Sequence, residues 1–158
     1  MGSWGYGPFD NDAAADLLAF IDEAGAGGWK LVRESLKSGY PQDVVAAAEV
    51  IAIAIGQGTR RDQREIALAV GRDRSVPWVR RHANRMPADL PARAIDACRI
   101  VLEKSRRTAK PAPRKTRTLA GMKLANVFLN EGESARKWQA TVSSLIRRLE
   151  RGRRKQHS

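Results

Sequence analysis

The chain has 158 residues, one cysteine, seven prolines and a formal net charge of +12. This length suits a single domain able to bury a real core, and lone Cys98 excludes an intramolecular disulfide framework. Met1–Asp12 lacks the basic start and apolar run of a signal peptide, Tyr6 stands where a myristoylation site wants Ser or Thr, and the longest apolar run (Val44–Ile55) is shorter than the roughly 20 residues that span a bilayer, so a cytoplasmic protein without a membrane segment is expected.

Taken in chain order, the periodicity is helical and no convincing alternating strand is found. Ala13–Ala24 reads as a first helix, with Ala14, Leu17, Leu18 and Ile21 on one face, Asn11 or Asp12 as its cap and Gly25–Gly28 as its stop. Trp29, Val32 and Leu36 mark a short second helix ended by Gly39 and Pro41. Gln42–Ile55 is apolar almost all round and rich in alanine, which predicts the central helix of a bundle. A shorter helix is expected around Asp62–Val70. Another follows over Pro77–Asn84, since proline is tolerated in a first helical turn. Leu90–Lys104 carries the stripe Ala94, Ile95, Cys98, Val101 and Leu102. Ser105–Thr118 is basic and interrupted by proline, and it reads as a linker or loop. Helices over Leu119–Leu129 and Ser134–Glu150 follow, the latter with Trp138, Val142, Leu145 and Leu149 at helical spacing. Arg151–Ser158 is expected to be a disordered basic tail. The resulting fold class is all-α: a compact bundle of about six to eight helices forming one domain over residues 1–150, with 105–118 as a loop within it.

Charge is segregated along the chain. Residues 1–59 hold three basic and eight acidic side chains, 60–104 hold eleven and six, and 105–158 hold fifteen and three. The net charges of −5, +5 and +12 put the whole excess in the second half, which implies an acidic or polyanionic partner there. Arg106, Arg107, Lys110, Arg114, Lys115 and Arg117 form one cluster; Arg147, Arg148, Arg151, Arg153, Arg154 and Lys155 form a second. Such charge suffices for salt-dependent phosphate binding, and equally for a self-repelling, soluble surface. The aromatics of this half are Phe128 and Trp138, both expected in the core, so stacking on single-stranded bases is not indicated.

The densest local signal is Trp4-Gly5-Tyr6-Gly7-Pro8-Phe9-Asp10-Asn11-Asp12. Two glycines and a proline among three aromatics exclude helix and suit a tight turn that plugs rings against an apolar surface, before Asn11 and Asp12 open the first helix. Asp16 follows one turn beyond Asp12 on the same face. The pattern Met1-Gly2-x-Trp4-Gly5-x-Gly7-x-Phe9-x-Asn11-Asp12-x-Ala14-x-Asp16 resembles the opening of the bacterial domain-of-unknown-function family 4259. Ala46–Val50, Leu90-Pro91 and the late Trp138 are similar to that family too, giving a likeness over most of 1–104 and 132–150. The resemblance implies no established activity. Some members sit among toxin–immunity gene sets, which makes an inhibitor role an expectation. Relatives are usually acidic, and the basic Ser105–Asn130 stretch departs from them.

The remaining chemistry is sparse. Asp10, Asp12 and Asp16 are oxygen ligands in principle, but capping and the helix dipole account for them without a metal. Glu49 is the one charge in the body of the apolar helix; burial would suit it to proton transfer, whereas a place at a helix edge opposite an arginine is the simpler expectation. His82, Cys98 and His157 lack zinc-ligand spacing, no histidine–nucleophile arrangement is visible, and the glycines at 25–28 follow a helix, not a strand. Gln63–His82 is similar to a helix-turn-helix through Ala67 and Gly71, but Pro77 and Arg80 fall where that motif needs apolar residues. No catalytic residue and no cofactor are therefore expected. The function anticipated is a non-enzymatic helical protein-interaction module with an acidic partner, with an immunity-type inhibitor as one form of it; the alternative is nucleic-acid binding through 105–118 and 147–155.

Overall fold

The computed structural model describes Pro8 and residues 12–60, 75–108 and 119–156, of which 13, 75–77 and 119–132 are described as backbone only. Six α-helices and no strands occur among the described residues: α1 (Asp12–Glu23), α2 (Gly28–Ser35), α3 (Pro41–Ala54), α4 (Ser75–His82), α5 (Leu90–Thr108) and α6 (Leu119–Gln156). The expected all-α architecture is what the chain adopts. The helix expected around Asp62–Val70 lies outside the described residues.

The central position of α3 follows from its composition. Ala46, Ala47, Ala48 and Ala52 are all fully buried, as are Val45, Val50 and Ile51. Methyl-sized side chains let neighbouring helices come close on every side, and α3 packs against each of the other five. Pro41 occupies its first turn, where a missing N–H costs nothing. Its end is a Schellman motif: Gly56 has φ +73°, the Gln57 N–H donates to Ala52 O at 2.7 Å and the Gly56 N–H donates to Ile53 O at 3.0 Å.

On one side of α3, α1 and α2 fold back on each other through Gly25, whose φ of +54° turns the chain into a single 3-10 turn over Gly25–Gly27. Gly28, expected to belong to the stop signal, instead opens α2. Its lack of a side chain is structural, since a Cβ there would lie 2.3 Å from Trp78 Cζ2. Trp78 Nε1 donates to Gly25 O and Trp29 Nε1 donates to His82 O, each at 2.8 Å, so the two indoles clasp α4 to the α1–α2 corner. Their ring centroids are 5.1 Å apart and tilted by 52°.

On the other side, α5 and α6 pack on α3 and on each other. They run antiparallel, as Ser105 meets Gln139 at 3.2 Å while Arg99 meets Glu150 at 2.8 Å. Leu90, Ala94, Ile95, Cys98, Val101 and Leu102 form the buried stripe of α5; Val142, Leu145, Ile146 and Leu149 form that of α6. Three boundaries differ from the sequence reading. Ser105–Thr108 belongs to α5 instead of the linker, with Thr108 Oγ1 donating to Ser105 O at 3.1 Å; residues 109–118 lie outside the description. The two late helices are one, since a lone Gly132 costs a helix only about 1 kcal/mol and does not end it. The basic tail is not disordered over Arg151–Gln156. Gly152 is buried there, and a Cβ on it would lie 2.4 Å from Ile55 Cδ1. That close approach holds the last turns of α6 against the end of α3.

Candidate functional site

Of the N-terminal motif, Trp4, Gly5, Gly7, Phe9, Asp10 and Asn11 lie outside the described residues. Pro8 is a buried turn residue, whereas Asp12 and Asp16 are exposed on α1. Among the described residues no group of three His, Cys, Asp or Glu side chains is placed to hold a metal ion.

Glu49 departs from its expected place at a helix edge. It is fully buried, because α3 has no solvent-facing edge at that level once α5 and α6 are packed on it. The expected arginine is present: Arg148 donates Nη1 to Oε1 at 2.7 Å and Nη2 to Oε2 at 2.6 Å, a two-pronged ion pair. Arg148 Nη1 also donates to Gln57 O at 3.0 Å, so one guanidinium ties α6 to both the body and the C-terminal turn of α3. This removes Arg148 from the surface cluster to which the sequence assigned it. Its partner lies 99 residues away, a pairing that no local spacing announces.

Cys98 lies buried nearby. Burial, and secondarily the negative charge of Glu49, push its thiol up to about 12, so it is a poor nucleophile. His82 stacks near Trp78 with ring centroids 5.2 Å apart, and its Nδ1 is buried without a hydrogen-bond partner among the described residues.

The outer face of α6 is basic. Arg136, Arg147, Arg151 and Arg154 are exposed and recur at helical spacing on the side opposite Val142, Leu145 and Leu149. Between Arg136 and Arg147 that side carries Ala140, Ser143 and Ser144, small residues that let a partner come close. Lys155 is exposed at the margin of the row, whereas Arg153, four residues after Leu149, is exposed on the side of the buried stripe. The two carboxylates within residues 133–156 are engaged: Glu133 pairs with Lys137 at 2.7 Å and Glu150 with Arg99 at 2.8 Å. The Lys137 hydrogen bond, then its charge, holds the Glu133 carboxyl below its ordinary range. At the end of α5, Arg106 and Arg107 are exposed, Arg107 pairing with Glu103. Lys110, Arg114, Lys115 and Arg117 fall outside the described residues.

The model of the domain of unknown function DUF4259 matches residues 2–110. The chain belongs to this family. The DUF4259 match takes in α1 to α5 and stops before α6, so the likeness expected over 132–150 lies outside it. The family's description assigns no activity. No curated protein and no solved structure matches the chain. In this DUF4259 protein, Glu49 inside the matched region is neutralised by Arg148 from beyond it. No helix among the described residues is long and apolar enough to cross a membrane.

Proposed function

We propose that this DUF4259 protein is a non-enzymatic helical interaction module that docks a negatively charged partner on the exposed face of α6. The observation that carries this reading is the row Arg136, Arg147, Arg151 and Arg154, spread along a helix fixed to the core by the Glu49–Arg148 pair. A charged face on a rigid element raises the association rate and sets the register of a partner of opposite sign. An immunity-type inhibitor covering an enzyme with an acidic surface is the protein form of this function. Buried, lone Cys98 suits action in a reducing cytoplasm.

The test is capture on immobilised full-length protein and on its Arg147→Glu/Arg151→Glu variant, from native host lysate with and without nuclease, over a salt series. A macromolecule retained at low salt, released as salt rises and lost on the variant is the expected result. Equal retention by both proteins, or none by either, refutes the reading.

A further inference from the structure

Resting on that reading, the composition of the α6 face narrows the class of partner. We propose that the face binds the phosphodiester backbone of a nucleic-acid duplex, without sequence preference.

Protein–protein interfaces draw most of their affinity from a few anchors in a well-packed, desolvated centre, where aromatic rings are prominent and arginines act packed among such neighbours. The row on α6 has the opposite make-up. Arg136, Ala140, Ser143, Ser144, Arg147, Arg151 and Arg154 include no aromatic and no large aliphatic side chain. Trp138, the aromatic of this half of α6, turns inward and packs against the core. The exposed large apolar residues of the described chain, Phe20, Tyr40 and Ile100, belong to α1, the residue preceding α3, and α5. An acidic protein would therefore meet this face with charge and nothing to bury.

A phosphate backbone needs little else. Arginine forks and serine hydroxyls are its ordinary donors, and such contacts position the molecule without reading bases. Arg136 to Arg154 covers about 27 Å at the helical rise of about 1.5 Å per residue. A duplex carries a charge about every 1.7 Å of its axis, both strands counted, so a span of that length offers several phosphates to the row. Single strands are disfavoured, because they are held by aromatic stacking platforms that the face lacks. Three neutralised phosphates, at Arg136, Arg147 and Arg151, give a slope of log affinity against log salt of about −2.7, hence a loss of roughly 40-fold between 50 and 200 mM salt.

Fluorescence anisotropy on the full chain tests this, with four probes: a duplex DNA, a duplex RNA, a single-stranded DNA and a poly-glutamate peptide. The expected result is binding of at least one duplex at 50 mM salt, with the slope above and equal affinity for unrelated sequences. The arms separate DNA from RNA, and either one supports the proposal. Arg147→Ala/Arg151→Ala, checked for an unchanged thermal midpoint, should weaken duplex binding by at least tenfold and lower the slope by about 2. Tighter binding of the single strand overturns the duplex assignment. Failure of both duplexes to bind, with poly-glutamate held through Arg147 and Arg151, overturns the nucleic-acid proposal and leaves the interaction-module reading standing. If no probe responds to these arginines, the nucleic-acid proposal falls, and the lysate capture alone decides the interaction-module reading.

Discussion

Replacing Arg148 with methionine keeps most of the aliphatic stem and removes the charge that faces Glu49. In the native protein the carboxylate is fully buried and the arginine side chain 14% exposed, with two charge-assisted hydrogen bonds of 2.7 and 2.6 Å between them. Removing one partner of such a pair costs about 3–5 kcal/mol, since the other charge cannot regain its water. Gln57 O loses its donor as well, but Gln57 is only half-buried and water can replace that bond. For a chain of this size the thermal midpoint should fall by about 6–20 °C. Glu49→Leu/Arg148→Met should recover most of the loss, because an apolar pair of similar volume is often as stable as a buried ion pair. Calorimetry or denaturant titration of the four proteins of this double-mutant cycle gives the coupling energy directly. A single variant within about 1 kcal/mol of the native chain would refute the claim that this pair holds α6 against α3. So would a double variant no more stable than Arg148→Met.

Gly28→Ala puts a Cβ 2.3 Å from Trp78 Cζ2 and 3.0 Å from Ile21 O; the overpacking should cost about 1–3 kcal/mol and shift tryptophan fluorescence, and an unchanged spectrum and midpoint would contradict the indole clasp. Cys98, pushed up to about 12 from an ordinary 9.0, should alkylate with iodoacetamide at pH 8 more slowly than in the unfolded chain, by roughly a hundredfold or more. Because its folded value is the higher one, its contribution to stability is present below about pH 9 and lost as the pH rises towards 12, so Cys98→Ala should show a shallower alkaline decline. Asp89 accepts from Arg93 at 2.6 Å and faces Arg33 at 2.9 Å, which together hold its carboxyl below the ordinary 3.8. Its contribution is therefore present above that pH and lost as the pH falls through the lowered value; Asp89→Asn should reduce the acid sensitivity of unfolding, followed by circular dichroism.

The helices were legible where a long segment carried an apolar stripe. The alanine-rich run at 44–52, the Ala94–Leu102 stripe and the Val142–Leu149 stripe each lie buried as their spacing required. Boundaries were less legible. The stretch between Leu129 and Ser134 and the basic run after Glu150 offer no large apolar residue of their own, so periodicity does not carry the helix through them. What carries the helix to Gln156 is the contact of Gly152 with Ile55, and a glycine that enables close approach is written the same way as one that stops a helix. The basic clusters, too, were visible as composition, but composition does not say which arginine turns inward.

By itself the amino-acid order determined an all-α chain, a central alanine-rich helix, membership of DUF4259 and a strongly basic second half. Each of these depends on local periodicity, on a short motif or on counting, all of which survive without coordinates. Tertiary structure alone decided the partners. It set Glu49 opposite Arg148 across 99 residues of sequence, made Gly28 the seat of Trp78, and divided the arginines of α6 between an internal anchor and an outward row. The physical reason is that a charge is judged by its surroundings. An arginine over a buried carboxylate is a structural tie, and one a single residue earlier on the same helix, Arg147, faces solvent.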